Sequence, residues 1–177
     1  NNVAIGYQAG VALNGGTDSV YVGYLAGGVG AITGGNNTVV GKGACLNATS
    51  ADFGVYLGTQ AGGLGVITGN ENVAIGYQAG YDLVGGYANV LIGSNAGGNL
   101  TDNHNSIAIG QSALDAANGG EHDNIAIGTN ALGGETSGAD GCIAIGTSAL
   151  LNQNRDGSAN TAIGYQALSN LGSSVTY

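Results

Sequence analysis

Two histidines are the residues of this sequence whose neighbours best suit chemistry. His104 lies in Asp-Asn-His-Asn and His122 in Glu-His-Asp-Asn, so carboxylates flank both imidazoles. An imidazole beside a carboxylate can bind a metal ion or act as a general base. Neither histidine has a partner at a recurring ligand spacing. We therefore expect exposed loop histidines, no catalytic residue and no metal ligand.

Acidic residues form a second candidate site, for calcium. Asp18, Glu71 and Asp123 lie five residues before a recurring glycine, and Asp52 and Asp140 lie six before it. Oxygen ligands in register suit Ca²⁺. However, the sequence lacks the nonapeptide of calcium-binding rolls, with its fixed glycine and aspartate offsets. We predict no cofactor and keep a calcium-binding solenoid as an alternative.

Lys42, Cys45 and Cys142 indicate no further chemistry. Lys42 stands in Gly-Lys-Gly-Ala, without the upstream glycine and the following Ser or Thr of a phosphate-binding loop. The two cysteines belong to repeats that are six units apart, about 29 Å along a stack of strands. A disulfide within one chain cannot span that distance. We expect two buried thiols.

Two surface features stay open at this stage. Asparagine is so frequent that chance accounts for three glycosylation sequons, which begin at Asn36, Asn47 and Asn99. Tyrosine also recurs directly after the repeated glycine, where it either packs over the next repeat or forms an exposed aromatic column that binds glycans. These tyrosines are Tyr7, Tyr24, Tyr77 and Tyr165.

The composition excludes several classes of protein. The 177 residues include 37 glycines and no proline, and 43% are hydrophobic, which fits neither a disordered segment nor a collagen helix. The formal net charge is −9 with only Lys42 and Arg155 as basic residues, so we expect no nucleic-acid partner. No apolar run approaches the roughly 20 residues of a membrane span, so this segment is not expected to insert into a membrane.

A repeat of 17 or 18 residues covers the whole chain and must position all of these side chains. Each of ten copies has one glycine, here called the motif glycine, and an alanine three residues later. The motif glycines are Gly6, Gly23, Gly41, Gly58, Gly76, Gly93, Gly110, Gly128, Gly146 and Gly164. The alanines are Ala9, Ala26, Ala44, Ala61, Ala79, Ala96, Ala113, Ala131, Ala149 and Ala167.

Residues before the motif glycine are β-branched at alternating positions, which predicts a short strand in each repeat. Units this short bury little alone, so they must stack, each strand pairing with the next. We predict an all-β fold, a parallel β-solenoid (β-roll) of about ten coils, with a weaker second strand in each coil. A column of asparagines four residues before the glycine is expected to form an amide ladder.

The chain is predicted to be one solenoid domain spanning 1–177, with a change of coil type near 98–105. Four residues after the motif glycine, the first six repeats carry glycine or Cys45, whereas the last four carry leucine. The prediction of a single domain follows because the strand motif continues through this change.

The strand residue two before the motif glycine is never charged and never an amide, so both faces of the strand are apolar. Such strands are typical of sheets covered on both sides. We predict that a second chain covers this face, which makes it an oligomer face; the alternative is that the rest of the same coil folds across it. Its residues are Ala4, Tyr21, Val39, Tyr56, Ala74, Leu91, Ala108, Ala126, Ala144 and Ala162.

The repeated motifs, NVAIGYQAG, SIAIGQSAL, NIAIGTNAL, CIAIGTSAL and NTAIGYQAL, resemble the head repeats of YadA-like trimeric autotransporter adhesins. They are also similar to repeat arrays of phage tail-fibre and related surface proteins. The resemblance implies a left-handed β-roll, three chains around an axis, and a rigid rod that binds a host-surface receptor or glycan. The coils of this chain are longer than those of the adhesin heads.

These observations favour a non-enzymatic structural or adhesive rod of a surface fibre, extracellular on a cell or virion, assembled as a homo-oligomer, either a trimer or an end-to-end filament. The alternatives are a ligand-binding solenoid, for calcium or ice, and a left-handed β-helix enzyme of the hexapeptide type. The hexapeptide pattern matches one hexad in three of each coil, which counts against that enzyme.

Overall fold

The computed structural model describes residues 1–116, 120–134, 139–152 and 158–169. Within these ranges the chain forms ten strands of three residues and no helix. The strands are β1 (Val3–Ile5), β2 (Val20–Val22), β3 (Thr38–Val40), β4 (Val55–Leu57), β5 (Val73–Ile75), β6 (Val90–Ile92), β7 (Ile107–Ile109), β8 (Ile125–Ile127), β9 (Ile143–Ile145) and β10 (Thr161–Ile163).

All described strands belong to one parallel sheet whose spatial order is the order of the chain. Equivalent residues pair at every step, as where Ala74 lies opposite Leu91 and Ala108 opposite Ala126. Each coil therefore advances the chain by one strand without any shift of register. The prediction of an all-β parallel solenoid is confirmed.

A second strand in each coil is not formed. Within the described ranges, the spacers contribute a single isolated bridge, between Leu13 and Ile32. Backbone hydrogen bonds nevertheless link the spacers of successive coils, for example from the N–H of Asn14 to the carbonyl of Ile32 at 2.8 Å. The spacers stack, but their glycines and turns interrupt the regular extension that a strand requires.

The middle residue of each strand points into the coil. From β2 to β10 these residues, the predicted oligomer face, are at most 3% exposed in the single chain, and Ala4 of the first coil is the exposed exception. The motif alanines from Ala26 to Ala149 lie against them and are fully buried. The prediction that a second chain covers this face is wrong, because the coil's own turns cover it, as the alternative proposed.

The motif glycine is required by the spacing between coils. Its φ lies between +128° and +140° in all ten coils, a region that is open mainly to glycine. A Cβ on Gly93 would lie 2.5 Å from the carbonyl oxygen of Gly110 in the next coil, and a Cβ on Gly6 would lie 2.6 Å from that of Gly23. The glycines thus stack in direct backbone contact.

The asparagine column forms a hydrogen-bond ladder, although its links run mainly to the backbone. Asn89 Nδ2 donates to the carbonyl of Asn103 at 2.7 Å, and Asn89 Oδ1 accepts the N–H of Ser106 at 3.0 Å. Ser106 Oγ in turn accepts the N–H of Asn124 at 3.3 Å. One link between side-chain amides joins the column directly, from Asn89 Nδ2 to Asn72 Oδ1 at 3.1 Å. Serine fits this column because its hydroxyl oxygen also accepts the backbone N–H.

The change of coil type exchanges one core side chain for another. In the first coils the position four after the motif glycine is glycine, and an aliphatic spacer residue fills the interior: a Cβ on Gly97 would lie 2.7 Å from Leu100 Cδ1. In later coils Leu114, Leu132 and Leu150 occupy this position and are fully buried. The backbone keeps the same left-handed conformation, with φ of 57° at Gly97 and 51° at Leu114.

Replacing a stacked motif glycine should destabilise the fold strongly. We expect Gly93→Ala to lower the free energy of unfolding by about 3 kcal/mol or more, because the substitution combines a forbidden φ with a backbone clash. Gly141→Ala is the matched control, since its Cβ meets nothing within 4 Å and Ala88 and Ala159 already occupy the same turn position. Urea denaturation followed by circular dichroism measures both; equal losses would contradict the stacking argument.

Removing one amide from the asparagine column should break the ladder at a defined place. Asn89→Ala leaves the N–H of Ser106 and the carbonyl of Asn103 without their partners, for an expected loss of about 2–4 kcal/mol. Asn89→Ser retains an acceptor for Ser106, so we expect roughly half that loss. Hydrogen exchange should show that the Ser106 amide loses protection in the alanine variant and keeps it in the serine variant.

Candidate functional site

The outward face of the sheet is the most extended chemical feature of the molecule. Because side chains alternate along a strand, the first and third residues of every strand point away from the interior. We call these two rows the outward columns. The first comprises Val3, Val20, Thr38, Val55, Val73, Val90, Ile107, Ile125, Ile143 and Thr161; the second comprises Ile5, Val22, Val40, Leu57, Ile75, Ile92, Ile109, Ile127, Ile145 and Ile163.

The outward columns form a largely apolar strip on the outer face of the sheet. Strands spaced about 4.8 Å apart make the strip about 43 Å long, and three extended residues make it roughly 10 Å wide. Most of these side chains are partly exposed; the exposed fraction reaches 59% at Ile5 and 68% at Ile163 in the terminal coils, and in the inner coils the most exposed aliphatic residues are Val40 at 37% and Ile127 at 36%. Soluble monomers rarely expose apolar patches larger than a few hundred Å². The strip is therefore a candidate interaction surface.

The tyrosines that follow the motif glycine continue the apolar strip at its edge. Tyr7, Tyr24, Tyr77 and Tyr165 are 49–75% exposed. Tyr7 and Tyr24 lie in adjacent coils and stack with ring centroids 5.2 Å apart. The stack stops there because the next coil carries Lys42 at the equivalent position. One pair therefore packs across coils, all four rings remain exposed, and glycan binding stays a prediction.

The two histidines lie together, which the sequence analysis missed. His104 and His122 occupy the same position in successive coils and stack with ring centroids 3.5 Å apart; Tyr87 stacks on the other side of His104 at 4.7 Å. Both histidines are partly buried rather than exposed, so that expectation is wrong. The signal was present, because all three residues lie six before a motif glycine.

A buried carboxylate accompanies this stack of rings. Glu121, directly before His122, is fully buried, and its Oε2 accepts a hydrogen bond from Asn103 Nδ2 at 3.0 Å. Sequence reasoning did not single out either residue. Their shared position, seven before a motif glycine, is glycine or alanine in most other coils. A large polar side chain among small ones was the available signal.

Three of the acids considered for calcium accept hydrogen bonds from a neighbouring coil. Asp52 Oδ1 accepts the N–H of Gly35 at 2.6 Å, and Asp140 Oδ1 accepts the N–H of His122 at 2.8 Å. Asp123 Oδ1 accepts Asn105 Nδ2 at 3.1 Å. In the part of the chain that the structure describes, no three His, Cys, Asp or Glu side chains come close enough together to hold a metal ion.

The remaining candidate residues are separate from one another. Cys45 and Cys142 are both buried and form no disulfide. Lys42 is exposed at the surface of the third coil. Among the sequon asparagines, Asn36 and Asn99 are exposed, whereas Asn47 is partly buried and its Nδ2 donates to the carbonyl of Leu64 at 3.0 Å. Arg155 lies outside the described residues.

Comparison with known proteins returned no match to a protein family, to a curated protein or to a solved structure. Within the described ranges, no helix has the length and apolar character needed to cross a bilayer. Function is therefore inferred from the surfaces of this chain.

The buried thiols should be protected from alkylation in the folded protein. Burial raises the pKa of Cys45 well above the ordinary thiol value, so little thiolate forms and little of it is accessible. We expect iodoacetamide at pH 8 to label Cys45 and Cys142 at least about 100-fold more slowly in the native chain than in urea, as measured by mass spectrometry. Native labelling at the unfolded rate would contradict the burial of these thiols.

The same burial predicts a stability that falls in alkali. Because the folded pKa of Cys45 lies above the unfolded value, the folded state favours the protonated thiol. Its contribution is complete below about pH 8.5 and is lost as pH rises towards the folded pKa. Urea denaturation at pH 7 and pH 9.5 should show this loss. The Cys45→Ala variant should show a smaller loss; an equal loss would assign the effect to other groups.

Proposed function

We propose that this chain is a structural or adhesive rod segment of an extracellular surface fibre, without enzymatic activity, whose copies pack through the outward columns. The observation that carries this proposal is the continuous apolar strip on the outer face of the sheet. Uncovered Val and Ile side chains along the whole length of a rod favour association with another apolar surface.

A second copy of the same chain is the partner that best fits the strip. Every strand contributes the same two positions to the strip, and equivalent residues pair from coil to coil. Two or three copies can therefore align their strips at the same height, because each copy has the same strand spacing. Three strips facing one axis form the trimer that the repeat resemblance implies.

The distribution of charge supports the same arrangement. All eleven acidic residues lie in the spacers, and none occurs in the strand, motif-glycine and alanine segment. Copies that meet through their outward columns therefore bring apolar rows together, while the acidic turns stay on the solvent side. Turns that vary in sequence on a rigid rod suit presentation of a binding surface to a receptor or glycan.

The first experiment measures the mass of the particle in solution. By mass photometry and light scattering we expect an oligomer, with a trimer as the specific expectation and end-to-end filaments as a further assembly visible by electron microscopy. A stable monomer at micromolar concentration would overturn the proposal, because the strip would then be exposed to water without a partner.

A charge placed on the strip should dissociate the oligomer. We expect the double variant Ile107→Lys, Ile109→Lys to be monomeric, because packing would bury two cations in an apolar contact. Val66→Lys is the matched control: Val66 is 49% exposed but lies in a spacer, so this variant should keep the oligomeric mass. Circular dichroism must show that both variants are folded. A folded double variant that remains oligomeric would exclude the outward columns as the interface.

A further inference from the structure

A pocket of about 340 Å³ lies between two successive spacers, away from the outward columns. One wall comes from the spacer before β5 and consists of Thr68, Gly69, Asn70 and Glu71; the other wall, from the spacer before β6, consists of Gly85 and Tyr87. The two walls are joined by a backbone hydrogen bond from Ala88 to Asn70 at 3.0 Å.

The ring of Tyr87 is held in place while part of it stays accessible. His104 in the following coil stacks on it at 4.7 Å with an interplanar angle of 4°. The pocket borders Tyr87 from the opposite direction, the side of the preceding coil. Tyr87 is 46% exposed. A ring supported from behind in this way is a preformed aromatic wall.

A carboxylate gives the pocket a negative charge. Glu71 lines the pocket directly. In the described part of the chain the one ion pair joins the N-terminus to Asp18, so Glu71 has no basic partner there. The whole chain carries a net charge of −9, which adds to the negative potential.

We propose that this pocket, here called the Tyr87 pocket, binds an organic cation, an alkylammonium or guanidinium group. The face of a tyrosine ring attracts such cations, and the Glu71 carboxylate complements their charge. Calcium fits less well, since it requires six to eight oxygen ligands and an aromatic wall supplies none. This site lies outside the oligomer interface proposed above and does not depend on it.

The test is an NMR titration of the full isotope-labelled chain with n-butylammonium, n-butylguanidinium and, as the neutral analogue, 1-butanol. We expect the Tyr87 ring signals and the Glu71 amide to shift saturably with both cations and not with butanol. The affinity should fall as ionic strength rises from about 20 to 200 mM. Equal binding of butanol, or no saturable shift with either cation, would overturn the proposal.

Matched variants separate the pocket from the general acidity of the surface. Tyr87→Leu and the isosteric Glu71→Gln should each weaken cation binding about two- to fivefold. The controls are Tyr77→Leu, an equally exposed ring outside the pocket, and Asp123→Asn, which changes an acid at the same turn position in a coil without the pocket; both should bind as the unmodified chain does. If the controls weaken binding as much as the pocket variants, the site is refuted.

The source of the cation is distinguished by two further probes, N-acetyl-lysine methylamide for a protein side chain and spermidine for a free polyamine. Both carry the proposed group, so tighter binding of either one supports the site and identifies the source. Failure of both probes would overturn it. A monomeric mass in solution would reject the proposed fibre while leaving this titration interpretable, since the pocket lies within one chain.

Discussion

The direct contact between motif glycines of successive coils is the constraint on which the rest of this structure depends. Every motif glycine has φ between +128° and +140°, and from Gly6 to Gly146 none has space for a Cβ, since the backbone of the next motif glycine occupies it. The chain can therefore turn at the end of every strand and return one strand spacing away. Strand register, the buried alanines and the asparagine column all follow, because each position in a coil lies against its counterpart in the next.

The coil is narrow, and its interior holds a single layer of inward side chains. The turns of the coil therefore cover only the inner face of the sheet. Alanine is the commonest inward residue, and where Tyr21 or Tyr56 takes its place the turn glycine opposite leaves the space: a Cβ on Gly27 would lie 2.5 Å from the ring of Tyr21. The outer face has no such cover. The apolar outer strip therefore runs along the whole rod, and the proposed association of copies would bury it over that length.

Departures from the repeat create the local features. The position six residues before the motif glycine differs from coil to coil. Three successive coils carry Tyr87, His104 and His122 there, and the stacking of the coils makes their rings neighbours. A pocket lies beside Tyr87, between its spacer and the spacer of the preceding coil. A repeat protein with identical coils would present one surface repeated many times. Unlike residues in adjacent coils give this rod a single place with its own charge and shape.

The sequence alone determined the repeat, the parallel stacking, the buried thiols and the asparagine column, because each of these depends on a spacing that recurs along the chain. Which face of the strand turns inward was decided only by the tertiary structure. Because side chains alternate along a strand, Ala108 and Ile109 must point in opposite directions. Both are apolar, so the sequence does not indicate which of them points into the coil. In the structure, the turn after the motif glycine folds over the strand face that carries Ala108, so this face becomes the interior. Likewise, the stacking of His104 on Tyr87 required the coil geometry, since 17 residues separate them in the chain and one strand spacing separates them in space.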